Sequence, residues 1–242
     1  MRALILAFLL LSPAARAAAA ETGCIYDLKG AVEVAKAGQP GGRAGKGVPL
    51  SEGDSLKTGP GAWCEILFRD GTFIKLEENS ETALVALKTS KEERTFSFSF
   101  LKGKALWMAA RLKGTISSKF QVRTPSAVCA VRGTDFSIAV SSAGETSVGL
   151  FEGKVAVSGS AGEKELLAGG EAFVSSGEVA VQARLSRLME KEKKRYGRVK
   201  GRVEALRKRL EERDGYIDEY INRQRKKVAD FDARRKERVG KR

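Results

Sequence analysis

The chain has 242 residues and not one of them is histidine. That absence removes the commonest general base, the Ser-His and Cys-His nucleophile pairs, and every His-ligated metal site. Cysteine is scarce as well. Cys24, Cys64 and Cys129 have no metal-motif spacing, and an odd number cannot all pair within one chain. No P-loop or dinucleotide-binding glycine fingerprint is present. No apolar run after the first twenty residues is long enough to cross a bilayer. What survives of enzyme chemistry is a carboxylate pair, Asp54 and Asp135 for instance, and no spacing along a chain shows that two carboxylates meet across a cleft. The expectation is a non-enzymatic protein without a cofactor or a metal.

Residues Met1–Ala20 read as a signal peptide and not as structure. Arg2 forms a short basic start, Ala3–Leu11 an apolar core too short to span, and Ala14–Ala20 a small-residue run that offers cleavage sites. The expected location is therefore exported, periplasmic or associated with the cell envelope. In that oxidising setting Cys24 and Cys64 are candidates for a disulfide, while Cys129, inside an Ala/Val run, reads as a buried small apolar residue.

Charge divides the remainder. Glu21–Val181 carries 19 basic and 19 acidic residues, whereas Gln182–Arg242 carries 23 basic and 11 acidic, a net of +12. Two domains are expected, a β domain over 21–181 and a basic helical tail over 182–242. In the first, hydrophobicity has period two. Phe96-Ser97-Phe98-Ser99-Phe100 alternates cleanly, and similar short runs lie at Ala31–Val34, Phe73–Leu76 and Asp135–Val140. A polar residue followed by glycine opens several strands, at Gly30, Gly71, Gly103, Gly133 and Gly153. Glycine serves tight turns that need positive φ, so stacked coils of short strands, a β-solenoid, are expected, with a sandwich of hairpins as the competitor. The loop Gly38–Gly47 has almost no apolar residue and should be exposed.

In the tail the period lengthens to about three and a half. A stripe runs through Leu185, Met189, Glu192, Tyr196, Val199, Val203, Leu206, Leu210, Arg213, Ile217, Tyr220, Gln224 and Phe231, with glycines at 197, 201 and 215. This predicts a long amphipathic helix, broken near Gly215. Its stripe could dimerise as a coiled coil, fold back on the β domain or dock on a partner, and dimerisation is the favoured expectation. The positive charge suits an anionic envelope polymer or a membrane surface. No recognition motif or set of stacking aromatics accompanies it, which argues against nucleic acid.

The most specific stretch is Thr124-Pro125-Ser126-Ala127-Val128-Cys129-Ala130-Val131-Arg132-Gly133-Thr134-Asp135-Phe136. Together with Leu50–Gly59, Asp70-Gly71-Thr72, Asn79-Ser80, Glu152–Val155 and Ala168–Glu171, it resembles the FecR domain in the order of its motifs. The resemblance covers nearly all of the β region and none of the tail. It implies a β-solenoid-like periplasmic module that binds or signals. In transmembrane members this module follows a cytoplasmic sigma-factor-binding segment and relays a signal from an outer-membrane transporter. The signal-like start read here points instead to a stand-alone exported protein. Two functions are thus expected. The first is a binding or scaffolding module, oligomerised or tethered to the envelope by its basic helix. The second is an accessory signalling component that contacts a membrane protein. The signature residues Thr124, Pro125, Arg132, Gly133, Thr134, Asp135 and Phe136 read as structural first, with Arg132 and Asp135 able to pair across a turn. An exposed Arg132 would alternatively recognise a carboxylate or phosphate.

Overall fold

The computed structural model describes residues 21–90, 93–111 and 117–240; the signal peptide expected over 1–20 lies outside them. The chain is mainly β. Its strands are β1 (Gly23–Lys29), β2 (Val32–Ala35), β3 (Gly42–Arg43), β4 (Pro49–Leu50), β5 (Ser55–Thr58), β6 (Trp63–Phe68), β7 (Phe73–Leu76), β8 (Glu81–Thr89), β9 (Glu93–Met108), β10 (Ser117–Arg123), β11 (Val128–Val131), β12 (Asp135–Val140), β13 (Thr146–Glu152), β14 (Lys154–Gly159), β15 (Gly162–Leu167), β16 (Glu171–Ser175) and β17 (Glu178–Gln182). Two helices follow, α1 (Arg187–Glu212) and α2 (Tyr216–Gly240).

The strands build two facing sheets joined through β9. One sheet runs β4–β1–β6–β7–β9–β12–β13–β16–β17. The other runs β3–β2–β5–β8–β9–β10–β11–β14–β15. All pairings are antiparallel except β9 with β10. Residues 94–102 of β9 pair with β8, whereas residues 103–108 pair with β12 and 105–108 with β7, so one strand serves both sheets.

The crossing point is Gly103, at φ +92°. A Cβ there would lie 2.3 Å from Ser80 Oγ, so both the backbone angle and the close approach exclude a side chain. Gly30, Gly133 and Gly153, also at positive φ, occupy three further corners where the chain passes between sheets. Gly71 differs, turning the β6–β7 hairpin within one sheet.

Between the sheets lies one apolar core. Ile25, Ile66, Ile74, Trp107, Phe136 and Leu150 meet Leu56, Leu84, Phe96, Phe98, Phe120 and Val155, all at most 1% exposed. Phe98 is at its centre, with ring centroids 5.1 Å from Trp107, 5.3 Å from Phe120 and 5.8 Å from Phe68. Truncating it to alanine should cost about 4 kcal/mol.

The sheet that begins with β4 is buried on both faces over β1, β6, β7, β9 and β13, while its outer face is exposed at β16 and β17. Its outer side chains Cys24, Leu67, Phe73, Leu106, Met108 and Phe151 form a second cluster with Tyr196, Val203, Leu206, Ile217 and Ile221 of the helices. This explains why Ile66-Leu67-Phe68 and Leu106-Trp107-Met108 are continuously apolar while Phe96–Phe100 alternates. The first two runs have apolar neighbours on both sides and the third on one. The α1 part of the stripe predicted for dimerisation is spent inside the chain, because α1 lies on the sheet and hides Met189, Glu192, Tyr196, Val203 and Leu206, whereas Phe231, its last member, is exposed. The chain breaks over residues 213–215 before α2 begins.

Two further expectations are corrected. Cys24 and Cys64 are free, buried thiols. In the β1–β6 register Cys24 faces Leu67 and Cys64 faces Leu28, an offset of about 10 Å along the strands, beyond the reach of a disulfide. They also point to opposite faces, Cys24 into the helix-side cluster and Cys64 into the inner core. The loop Gly38–Gly47 is not wholly exposed. Ala44 is buried, and Gly47 sits under α2, where a Cβ would meet Gln224 Cβ at 2.6 Å.

Candidate functional site

The signature stretch separates into scaffold and surface. Thr124 closes a turn: its N–H donates to Ala127 O at 2.8 Å, and its Oγ1 accepts from the Ala127 N–H at 2.9 Å. Its hydroxyl also lies 2.7 Å from Thr146 Oγ1. Thr134 and Phe136 are fully buried, and a Cβ on Gly153 would press on Thr134 Cγ2 at 2.4 Å. Pro125 and Arg132 are exposed. Arg132 and Asp135 do not pair. Gly133 turns the chain between them, sending Arg132 to solvent and Asp135 under α1.

Asp135 belongs instead to a polar seam between sheet and helix. Tyr196 Oη lies 3.1 Å from Asp135 Oδ2 and 2.7 Å from Glu152 Oε1. Burial pushes the Asp135 carboxyl above its usual range, opposed by the nearby Arg207 and the Tyr196 hydroxyl. Glu152 moves the other way, down to about 2, because Lys200 and Tyr196 donate hydrogen bonds to it. Arg111 adds a third donor at 2.8 Å. The two carboxylates therefore share one hydroxyl and have opposite protonation tendencies.

The seam continues along α1. Arg202 donates to both oxygens of buried Glu65, at 2.8 and 2.6 Å, and Lys75 reaches the same carboxylate at 3.2 Å. Arg207 donates to Gly71 O at 3.0 Å and Met108 O at 2.9 Å, satisfying carbonyls at the sheet's end. Glu192 is met by Arg195 at 3.1 Å and Lys104 at 3.9 Å. At the helix start, Glu171 accepts from the Ser186 N–H at 2.6 Å and the Ser186 hydroxyl at 3.1 Å, and the Ser186 hydroxyl caps α1 through the Met189 N–H. In α2, Tyr220 donates to Tyr26 O and stacks on the Tyr26 ring at 4.9 Å. Period and composition mark these helical residues only as a stripe and its charged flanks. Of the seam's partners in the sheet, Asp135 and Glu152 lie in the motifs singled out in the sequence, but nothing there marks them as partners of a helix, and Glu65 carries no sequence signal of its own.

The carboxylates weighed for hydrolysis do not converge. Asp54 is buried beside β5 on the open sheet, saturated by Lys36 at 2.7 Å and by the Ser51 and Ala37 N–H groups, whereas Asp135 lies under α1. Among the described residues no group of three His, Cys, Asp or Glu could hold a metal ion, and no helix is long and apolar enough to cross a membrane.

Two other surfaces stand out, the first abutting the seam at Glu171 and Ser186. A groove of about 610 Å³ at the β16–β17 end is lined by Ser147, Phe173, Ala180, Val181 and Leu188, with Phe173, Val181 and Leu188 all near 40% exposed. The second surface is the outer half of α2.

Known proteins are similar to part of the chain. Two crystal structures of a "putative anti-sigma factor" from Parabacteroides distasonis ATCC 8503, at 1.65 and 2.50 Å, are similar to it at 23% identity and a TM-score of 0.45. The similarity covers 54% of this chain and 59% of that one. No curated protein matches the chain. Residues 54–156 match the family described as FecR protein, a span that starts at Asp54 and ends within β14. Over that span the chain is similar to FecR proteins, in agreement with the resemblance carried by the order of its motifs.

Proposed function

We propose that the protein is a non-enzymatic component of cell-surface signalling whose β module contacts a protein partner at the cell envelope. The observation that carries this reading is the FecR match over 54–156, which lies wholly within the β region. The saturated carboxylates support a recognition role over a catalytic one, since Asp54, Glu65, Asp70 and Glu152 are each bound by a basic side chain. The Met1–Ala20 pattern supports export, and the glycine corners between sheets support a solenoid-like β module.

The alternative scaffolding reading gave the whole basic tail a tethering or oligomerising role. Docking of α1 argues against the full version. Arg202, Lys200 and Arg207 are engaged with the sheet, which leaves α2 as the freer basic element.

The test is affinity capture of tagged mature protein from envelope extract at low and high salt. The full chain is compared with a Phe173→Glu, Leu188→Glu variant and with a chain ending at Gln224. The signalling reading expects a protein partner that survives high salt and is retained by the shortened chain. Capture that disappears with salt or with the end of α2 would overturn it in favour of electrostatic tethering.

A further inference from the structure

The second helix changes character along its length. Ile217 and Ile221 are 1% and 2% exposed, and Gln224 rests half-buried against Gly47. From Arg225 to Arg238 every residue is exposed. Within that segment Val228 and Phe231, at 60% and 67%, are the two most exposed large hydrophobic side chains described in the chain. They are three residues apart and so share a helix face.

The charges around them are ordered. Residues 222–238 contain eight basic and three acidic side chains. At about 100° per residue, Arg235 lies between Val228 and Phe231. Lys227, Arg234 and Arg238 flank Phe231, and Arg225 and Lys236 flank Val228. Asp230 and Glu237 fall on the opposite face together with Lys226, leaving Asp232 as the acid near the apolar pair. A narrow apolar line with basic borders and acids turned away matches a lipid surface with negative head groups. The side chains enter the head-group boundary while the cations stay among the phosphates. A soluble polyanion would complement the charges but leave Val228 and Phe231 in water.

We propose that residues 222–238 lie flat on an anionic bilayer surface, anchored by Val228 and Phe231 and held by the flanking lysines and arginines. Docked helices and sheets then stand on that surface as one body, since Ile217 and Ile221 fix the start of α2 to β1 and the helix-side cluster. The proposal does not depend on whether the β module has a protein partner.

The experiment is co-sedimentation of the full mature chain with vesicles of phosphatidylcholine alone or mixed with phosphatidylglycerol, at low and high salt. The comparison is a Val228→Ser, Phe231→Ser variant, whose two sites are exposed and whose thermal unfolding should match that of the parent. The proposal expects binding to the phosphatidylglycerol vesicles, at least tenfold weaker for the variant, and no binding to phosphatidylcholine alone. Equal binding by parent and variant would reduce the effect to bare charge and overturn it. So would failure to bind any vesicle, or a doubled mass in solution that the two substitutions abolish, which would assign the face to a second copy of the chain.

Discussion

Arg202 of α1 grips Glu65 of β6 with both terminal nitrogens, 2.8 and 2.6 Å from its two oxygens. Glu65 is 1% exposed, and a buried carboxylate that loses its cation is strongly destabilising. Arg202→Ala should therefore lower the unfolding free energy by about 2 kcal/mol, short of the full penalty because Lys75 stays 3.2 Å away. Urea denaturation in a double-mutant cycle checks it. In the Glu65→Gln background the same substitution should cost under about 1 kcal/mol. Equal losses in both backgrounds would mean that the guanidinium acts through its position over the Phe73 ring, 5.8 Å from the centroid.

Helix and sheet also touch where the strand presents no side chain, at Gly149 against Met189. A Cβ on Gly149 of β13 would lie 2.8 Å from Met189 Cγ and Sδ and 2.9 Å from its Cβ. Gly149→Ala should destabilise by about 2 kcal/mol through overpacking. Met189→Ala alone should cost a similar amount by opening a cavity. The double variant should cost less than the sum of the two, because each change relieves the other. Strict additivity in chemical denaturation would show that α1 does not rest on β13 at this point.

Much of this was legible in the chain. The glycines that open several strands, the alternating phenylalanines of β9 and the helix break at Gly215 are local signals, and the structure uses them locally. The fate of the tail was not, because a stripe such as Met189, Tyr196, Val203 and Leu206 looks the same whether it meets another helix or a sheet. The deciding signal lay elsewhere, in the runs Ile66-Leu67-Phe68, Leu106-Trp107-Met108 and Leu150-Phe151. Consecutive apolar residues in short strands require cover on both faces, and the tail was the available cover. The Cys24–Cys64 pairing failed because register, which no composition reports, offsets the two cysteines along neighbouring strands. Arg132 and Asp135 failed to pair because the Gly133 corner turns their side chains to different environments.

The seam predicts opposite pH behaviour for its two carboxylates. Glu152 is held down at about 2 by Lys200, Tyr196 and Arg111. Its contribution is present above the ordinary glutamate range, about 4.5, and is lost as pH falls through about 2. Asp135 is raised by burial, so the folded state favours its proton. Its burial penalty is absent below the ordinary aspartate range and grows as pH rises through the elevated value. Glu152→Gln should thus destabilise at pH 7 by up to about 1 kcal/mol, a modest figure because the site is partly open to solvent, and the deficit should shrink on acidification. Asp135→Asn should be neutral or stabilising at pH 7 and match the parent near pH 3. Urea midpoints collected from pH 3 to 8 test both signs. A deficit for Asp135→Asn that grows toward neutral pH would mean that the charged carboxylate stabilises the seam.

The cysteines provide a reporter for helix docking. Burial pushes the thiols of Cys24, Cys64 and Cys129 each up to about 12, so at pH 8 almost no thiolate is available for alkylation. The native protein should resist labelling, and the unfolded, unreduced chain should take up three labels. A single label on unfolding would mean that Cys24 and Cys64 had formed a disulfide. The three sites should also differ in how they become exposed. Cys24 shares the helix-side cluster with Ile217 and Ile221, whereas Cys64 and Cys129 lie in the core between the sheets. Opening the outer cluster with Ile217→Ala and Ile221→Ala should speed labelling of Cys24 by at least about tenfold, since two such truncations remove several kcal/mol of local packing. Peptide mapping by mass spectrometry should find Cys64 and Cys129 still protected. Simultaneous labelling of all three would show that the helices and both sheets open as one cooperative unit, and that α2 is as integral to the fold as the strands it covers.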